Sequence, residues 1–204
     1  MTLREASSAF LKGYEMARRD GDSADPAALL DGLAGLRSSI RPFAFEGAAM
    51  ALAMMDAEGA GERCGALIER SDPVWHTFLK LGIGCAWARL GREAPTDPLV
   101  LDGYGFQLGL RDGVWGIEGR SMDPPAERGR GRALWFVTGG DGSACAAAIS
   151  RAAGHRGELW RGVGTACAFA GDPRGHAARL SGLANGLARH VRRGVEQGLQ
   201  LWRC

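Results

Sequence analysis

No apolar run in this chain is long enough to cross a bilayer. The longest, Gly47–Met55 and Leu81–Ala88, fall well short of the roughly 18 to 20 residues that a spanning helix needs. Arg4 and Glu5 stand where a signal-peptide core would lie, so a cytoplasmic protein without membrane contact is expected. The cysteines, Cys64, Cys85, Cys145, Cys167 and Cys204, are odd in number and far apart, with no C-x-x-C pair. A disulfide framework and a zinc knuckle are thereby disfavoured, which leaves small core fillers. His76, His155, His176 and His190 show neither H-x-x-x-H nor E-x-x-H, the spacings of helical zinc and di-iron sites. Neither a metal nor another cofactor is expected. The chain also lacks G-x-x-x-x-G-K-[ST], a strand-borne G-x-G-x-x-G and G-x-S-x-G, so the ATPase, Rossmann dehydrogenase and α/β-hydrolase readings fall away.

Lysine is nearly missing, since 23 of the 25 basic residues are arginine. Only the last 33 residues are locally basic, and no reading motif accompanies them, so nucleic acid is not an expected partner. What remains, 204 residues with 46% hydrophobic and 24% charged side chains at a net charge of +2, suits one globular domain over residues 1–204. Val, Ile and Thr are scarce between segments rich in Leu, Ala and Arg, and five of the eight prolines follow aspartate (Asp25, Asp72, Asp97, Asp123 and Asp172). Asp-Pro sets a capping carboxylate before a residue suited to the first helical turn. The fold class read from this is all-α, a compact multi-helix bundle or short solenoid-like array. Helices are expected near 3–19, 26–36, 42–56, 60–70, 73–90, 98–110, 132–138, 142–152, 156–170 and 174–202. The glycine- and proline-rich stretch Arg111–Arg132 is the longest irregular segment in that reading. It is either a connector, an internal boundary over 111–131, or a flap carrying Trp115, Arg120 and Met122 over a pocket.

Two echoes bear on internal duplication. Pro42–Gly47 is echoed by Pro98–Gly103 and Gly82–Ala88 by Gly162–Ala168, at shifts of 56 and 80 residues. Because the shifts disagree, a clean tandem repeat is excluded; an old duplication with insertions and a recurrent helix-packing solution both remain.

Glu46 is the only ionisable residue from Phe43 to Met55, and Asp102 holds the same place between Pro98 and Leu110. A carboxylate on such an apolar helix must find a cation or take up a proton. It is thus either half of a structural ion pair or an acid–base group for a hydrophobic substrate. Each is followed by a glycine, Gly47 or Gly103, and helical glycine implies that another backbone or a ligand lies close. At the C-terminus Leu180, Leu183, Leu187, Val191, Val195, Leu199 and Trp202 form a docking stripe beside a ridge of Gly182, Gly186, His190, Gly194 and Gly198. His190 is read as a seam histidine. His76, in the first turn after Asp72-Pro73, has either a capping duty or that of a neutral base. Arg132 and Trp135, like Trp160-Arg161, set an arginine near an indole, a pairing that closes helix ends or holds an anionic or conjugated ligand.

Four segments in order, Phe43–Met50, Leu101–Phe106, Gly131–Val137 and Leu159–Gly164, together resemble a bacterial family of unknown function similar to proteins encoded beside enediyne polyketide synthases. The resemblance runs from about Phe10 to Ala170. Against that pattern the chain is expected to lack an N-terminal extension common in relatives, has a shorter segment after Asp102, and carries Gln107-Leu108 in place of more polar residues. What the resemblance implies is a process, the biosynthesis of a highly unsaturated polyketide. The expected function is binding or processing of a long polyene-like hydrophobic intermediate. Glu46 and Asp102 are its candidate catalytic residues, and His76, Tyr104, Arg132 and Trp135 line the site. The alternative is a non-catalytic carrier or scaffold that docks on a polyketide synthase or other pathway protein through the C-terminal stripe or glycine ridge. A homodimer also belongs among the partners considered.

Overall fold

The computed structural model describes residues 1–20, 26–59, 61–171 and 173–201, and the side chains of these except at positions 173 and 174. The expected caps Asp25 and Asp172, and Arg174, Trp202, Arg203 and Cys204, therefore lie outside the described side chains. The described residues are all-α, with no strand. In chain order the helices are α1 (Leu3–Asp20), α2 (Ala27–Ala34), α3 (Arg41–Glu58), α4 (Arg63–Arg70), α5 (His76–Arg89), α6 (Pro98–Asp112), α7 (Pro124–Val137), α8 (Gly142–Ser150), α9 (Arg156–Phe169), α10 (Pro173–Leu183) and α11 (Ala188–Leu201). Short 3₁₀ turns at Pro73–Trp75, Gly113–Ile117 and Asn185–Leu187 precede α5, follow α6 and precede α11.

The Asp-Pro starts work as caps where the side chain turns inward. Asp72 accepts from the Val74 amide at 3.0 Å, and Asp97 accepts from the amides of Leu99 and Val100 at 2.9 and 3.2 Å. Asp123-Pro124 also begins a helix. This corrects the reading of Arg111–Arg132 as irregular, because much of α7 lies before the expected start at 132. Gly129 and Gly131 are helical and buried; they permit a close helix contact instead of breaking the helix. The expected helix 174–202 is interrupted as well. Asn185 has φ 50°, a left-handed conformation that ends α10 and redirects the chain into α11.

Contacts divide the chain within α6 into an N-terminal unit, Arg4–Gly103, and a C-terminal unit, Tyr104–Cys204 with Met1–Leu3. Each is a series of helices crossing at glycine. In the N-terminal unit a Cβ at Gly13 of α1 would overlap the Ala44 carbonyl oxygen of α3, and one at Gly82 of α5 the Glu46 oxygen of α3. One at Gly103 of α6 would overlap the Leu81 oxygen of α5. In the C-terminal unit Gly105 meets Ala126, Gly162 meets Arg128, and Gly194 meets Arg161 in the same manner, joining α6 to α7, α7 to α9 and α9 to α11.

These crossings correspond one to one. A shift of 82 residues carries Ala44 and Glu46 onto Ala126 and Arg128, and a shift of 80 carries Leu81 and Gly82 onto Arg161 and Gly162. The 80-residue echo therefore marks equivalent positions. The 56-residue echo pairs glycines at two different crossings of the N-terminal unit, Gly47 against Phe10 between α3 and α1 and Gly103 against Leu81 between α6 and α5. The geometry is that of a duplicated four-helix set in which α6 is last in one set and first in the next, which is why no single register relates the halves.

Around these backbones each unit fills its own core. Phe45, Leu52, Leu67 and Leu79 are buried in the N-terminal unit, and Leu134, Trp135, Ile149, Leu159, Val163 and Leu180 in the C-terminal unit.

Candidate functional site

In the N-terminal unit both singled-out acids are interior: Glu46 and Asp102 are each 4% exposed. Their positions share a cause. Helix α3 is apolar nearly all round and is covered on more than one side, since Gly47 faces α1 while the Glu46 carbonyl faces Gly82 of α5. Asp102 precedes Gly103, which packs on Leu81, and the Gly103 carbonyl accepts from the Cys85 Sγ at 3.4 Å. The two acid-bearing segments thus meet α5 at Gly82 and Leu81. Consecutive helical residues point about 100° apart, so the backbones carrying Glu46 and Asp102 lie on adjacent sides of one turn of α5.

His76 opens α5, and its Nε2 lies 3.1 Å from the Ile68 carbonyl. Beside it Trp75 stacks on Phe45, with ring centroids 4.5 Å apart and planes 5° from parallel, and tilts against Phe78 at 6.3 Å. Sequence reasoning passes over Phe45 and Trp75, although each adjoins a residue it singles out. Stacking between a 3₁₀ turn and a helix some 30 residues earlier leaves no periodic signal.

The other expected site residues belong to the C-terminal unit. Tyr104 is half-buried. Arg132 is buried with its guanidinium carbon 4.7 Å from the centre of the Phe106 ring, and Phe106 meets Phe136 edge-on at 5.7 Å. Trp135 is 1% exposed, donates its indole N–H to the Ala170 carbonyl at 2.9 Å, and meets His176 edge-on at 5.6 Å. The structure therefore groups Glu46, His76 and Asp102 in one unit, and Tyr104, Arg132 and Trp135 in the other.

A buried ion pair in α7 has no counterpart among the sequence expectations. Arg130 reaches Glu127 at 3.1 Å, donates to the Arg120 carbonyl at 2.8 Å and also to the Gly116 carbonyl, while Glu127 accepts from the Met122 amide at 2.9 Å. Burial pushes the Glu127 carboxyl above its ordinary value, against the opposing pull of the Met122 amide and Arg130. The pair pins the expected flap to α7, with Trp115 left 74% exposed. Burial likewise pushes the Cys64 thiol up to about 12 and the Cys145 thiol to about 11, so neither is a nucleophile at neutral pH. Among the described residues no three His, Cys, Asp or Glu side chains form a metal-binding group, and no helix is long and apolar enough to cross a membrane.

The C-terminal stripe is consumed within the unit only in part, since Leu180 is buried but Leu183 and Leu199 stay exposed. Val191 and Val195 are buried, and Gly164 and Gly194 bring α9 and α11 into backbone contact. Gly182 and Gly186 have no neighbour where a Cβ would stand, and His190 lies against Gly157 of α9. The ridge is not one continuous groove, because the turn Asn185–Leu187, which contains Gly186, separates Gly182 from His190, Gly194 and Gly198.

Residues 1–200 match the model of a family described as a protein of unknown function (DUF1702). No curated protein and no solved structure matches the chain.

Proposed function

Because the chain belongs to the DUF1702 family of proteins of unknown function, its activity must be argued from its own residues, and we propose that it binds or processes a long polyunsaturated hydrophobic intermediate of enediyne-type polyketide biosynthesis. The observation that carries the acid–base part of this reading is the burial of Glu46 and Asp102 on apolar helices whose backbones meet one turn of α5; the enediyne part rests on the resemblance of the four sequence segments. Away from water a carboxylic acid exchanges protons with an unsaturated carbon chain without competition from solvent. In this reading one acid donates and the other accepts as double bonds shift. Within the same unit Phe45, which adjoins Glu46 in sequence, stacks on Trp75 and supplies an apolar surface. His76 hydrogen-bonds at the start of α5.

The test uses Glu46→Gln and Asp102→Asn, which keep shape and remove the acid. Expressed in a producing strain, folded variants should lower the polyketide titre roughly 10²-fold or more, the scale of a lost acid–base group. Mass spectrometry of the purified wild-type protein should find a polyene-like compound bound. Unchanged titres with both variants folded would end the catalytic reading. The carrier or scaffold alternative would then stand if the compound still copurified, although the Val191 and Val195 face that it would have used is already packed on α9.

A further inference from the structure

Helix α11 carries two faces of opposite character. Val191, Gly194, Val195 and Gly198 are buried, while the exposed Arg189, Arg192, Arg193, Glu196, Leu199 and Gln200 gather within roughly 120° of arc on the other side, at about 100° per residue. The duplicated crossings identify that outer face. Gly194 meets Arg161 as Gly103 meets Leu81, and Leu81 and Arg161 are equivalents, so a shift of 91 residues carries α6 onto α11. In α6 the positions Gly105 and Gly109 receive α7 at Ala126 and Ala133. Their equivalents in α11 are Glu196 and Gln200, both exposed. The outer face of α11 is thus the counterpart of the α6 face that a neighbouring helix covers.

The chemistry of that face selects the kind of partner. Arg189, Arg192 and Arg193 stand against the single acid Glu196, and among the described residues none of these four takes part in an ion pair. Arg189 donates to His190 at 3.3 Å. The unit that holds α11 carries 14 arginines against 8 acidic residues, a formal net charge of +6, and such a field draws acidic partners. Glu196 and Gln200 fill the places where glycine lets α7 come close, so a partner on α11 stands off at side-chain length, where guanidinium–carboxylate contacts reach. Leu199, 40% exposed on the same face, offers an apolar side chain for the partner to cover. A nucleic acid fits less well, because Glu196 would meet its phosphates and Leu199 would find nothing apolar against it.

We propose that the outer face of α11 is a docking surface for an acidic amphipathic helix of a partner protein, held by Arg189, Arg192 and Arg193 with Leu199 as the apolar contact. This does not depend on the function proposed above, and the face lies opposite the Val191 and Val195 side that packs on α9. The test is fluorescence anisotropy of the full-length protein with a labelled helical peptide bearing glutamate and leucine on one face. The same peptide with glutamine for glutamate, and a short DNA duplex, serve as comparisons. Saturable binding of the acidic peptide is expected, weakened about tenfold or more in the double variant Arg192→Gln, Arg193→Gln, the scale of lost charge-assisted contacts, and less in Leu199→Ala. Arg4→Gln, at an exposed position of α1, should bind as the wild type does. With Arg192→Glu and Arg193→Glu together, the acidic peptide should be lost and its lysine counterpart gained, an exchange that unfolding would not produce. No saturable binding by the folded wild type up to roughly 1 mM, equal binding of the glutamine peptide, tighter binding of the duplex, or equal weakening by Arg4→Gln would overturn the assignment.

Discussion

At the scale of single residues, the Glu127–Arg130 pair shows how buried charge is satisfied. Arg130 and Glu127 are 4% and 1% exposed and answer one another as well as three backbone groups. Removing one member of such a pair strands the other charge, so Arg130→Met should cost about 3 to 5 kcal/mol in urea unfolding. The sign of the pH effect follows from Glu127, whose carboxyl is raised in the folded state mainly by burial. Its contribution to stability is fully present below the ordinary carboxyl value and is lost as pH rises through the folded one. Arg130 pulls the other way, so its removal raises Glu127 further, and the loss in Arg130→Met should shrink as pH falls; a loss independent of pH would refute this account. Cys64 and Cys145, with thiols pushed to about 12 and 11, should resist iodoacetamide at mildly alkaline pH until urea unfolds the chain. The burial of Glu46 and Asp102 was legible because each is alone in an apolar stretch. The Glu127–Arg130 pair was not, because its partners are carbonyls and an amide in a loop, which carry no side-chain signature.

At the scale of helices, glycine is the residue whose role a sequence states least clearly. It breaks one helix and lets another approach, and only the neighbour decides which. Gly129 and Gly131 have the local pattern of a loop and are helical, whereas Asn185 sits in a helical pattern and turns the chain. Gly82→Ala would drive a methyl group into the Glu46 carbonyl and the Ala49 side chain. Overpacking of this kind costs about 1 to 3 kcal/mol, more than the gain in helix propensity returns. At Gly65 in α4 nothing lies within 4 Å of the place an added methyl group would take, so Gly65→Ala should stabilise by about 0.5 to 1 kcal/mol. Thermal unfolding of the two variants should therefore shift in opposite directions, and a common direction would mean that backbone entropy alone governs both sites.

At the scale of the whole molecule, the duplicated crossings predict paired behaviour. Gly162 stands to Arg128 and Gly131 as Gly82 stands to Glu46 and Ala49, so Gly162→Ala should destabilise its unit by an amount close to that of Gly82→Ala. On a cost of about 1 to 3 kcal/mol each, losses differing by more than about 1 kcal/mol would count against equivalence of the two sets. The amino-acid order by itself determined that the chain is helical, since helix formers, Asp-Pro caps and missing β-branched runs act over a few neighbouring residues. It also determined that two carboxyls would be drawn inside, because their helices have no polar face to turn outward. Only tertiary structure decided that both acid-bearing segments meet one turn of α5, that an echo at 80 residues marks true equivalents, and that the exposed face of α11 is the counterpart of the α6 face that receives α7. Those facts depend on which backbones touch, and contact between distant segments is a property of the packed chain that no local spacing encodes.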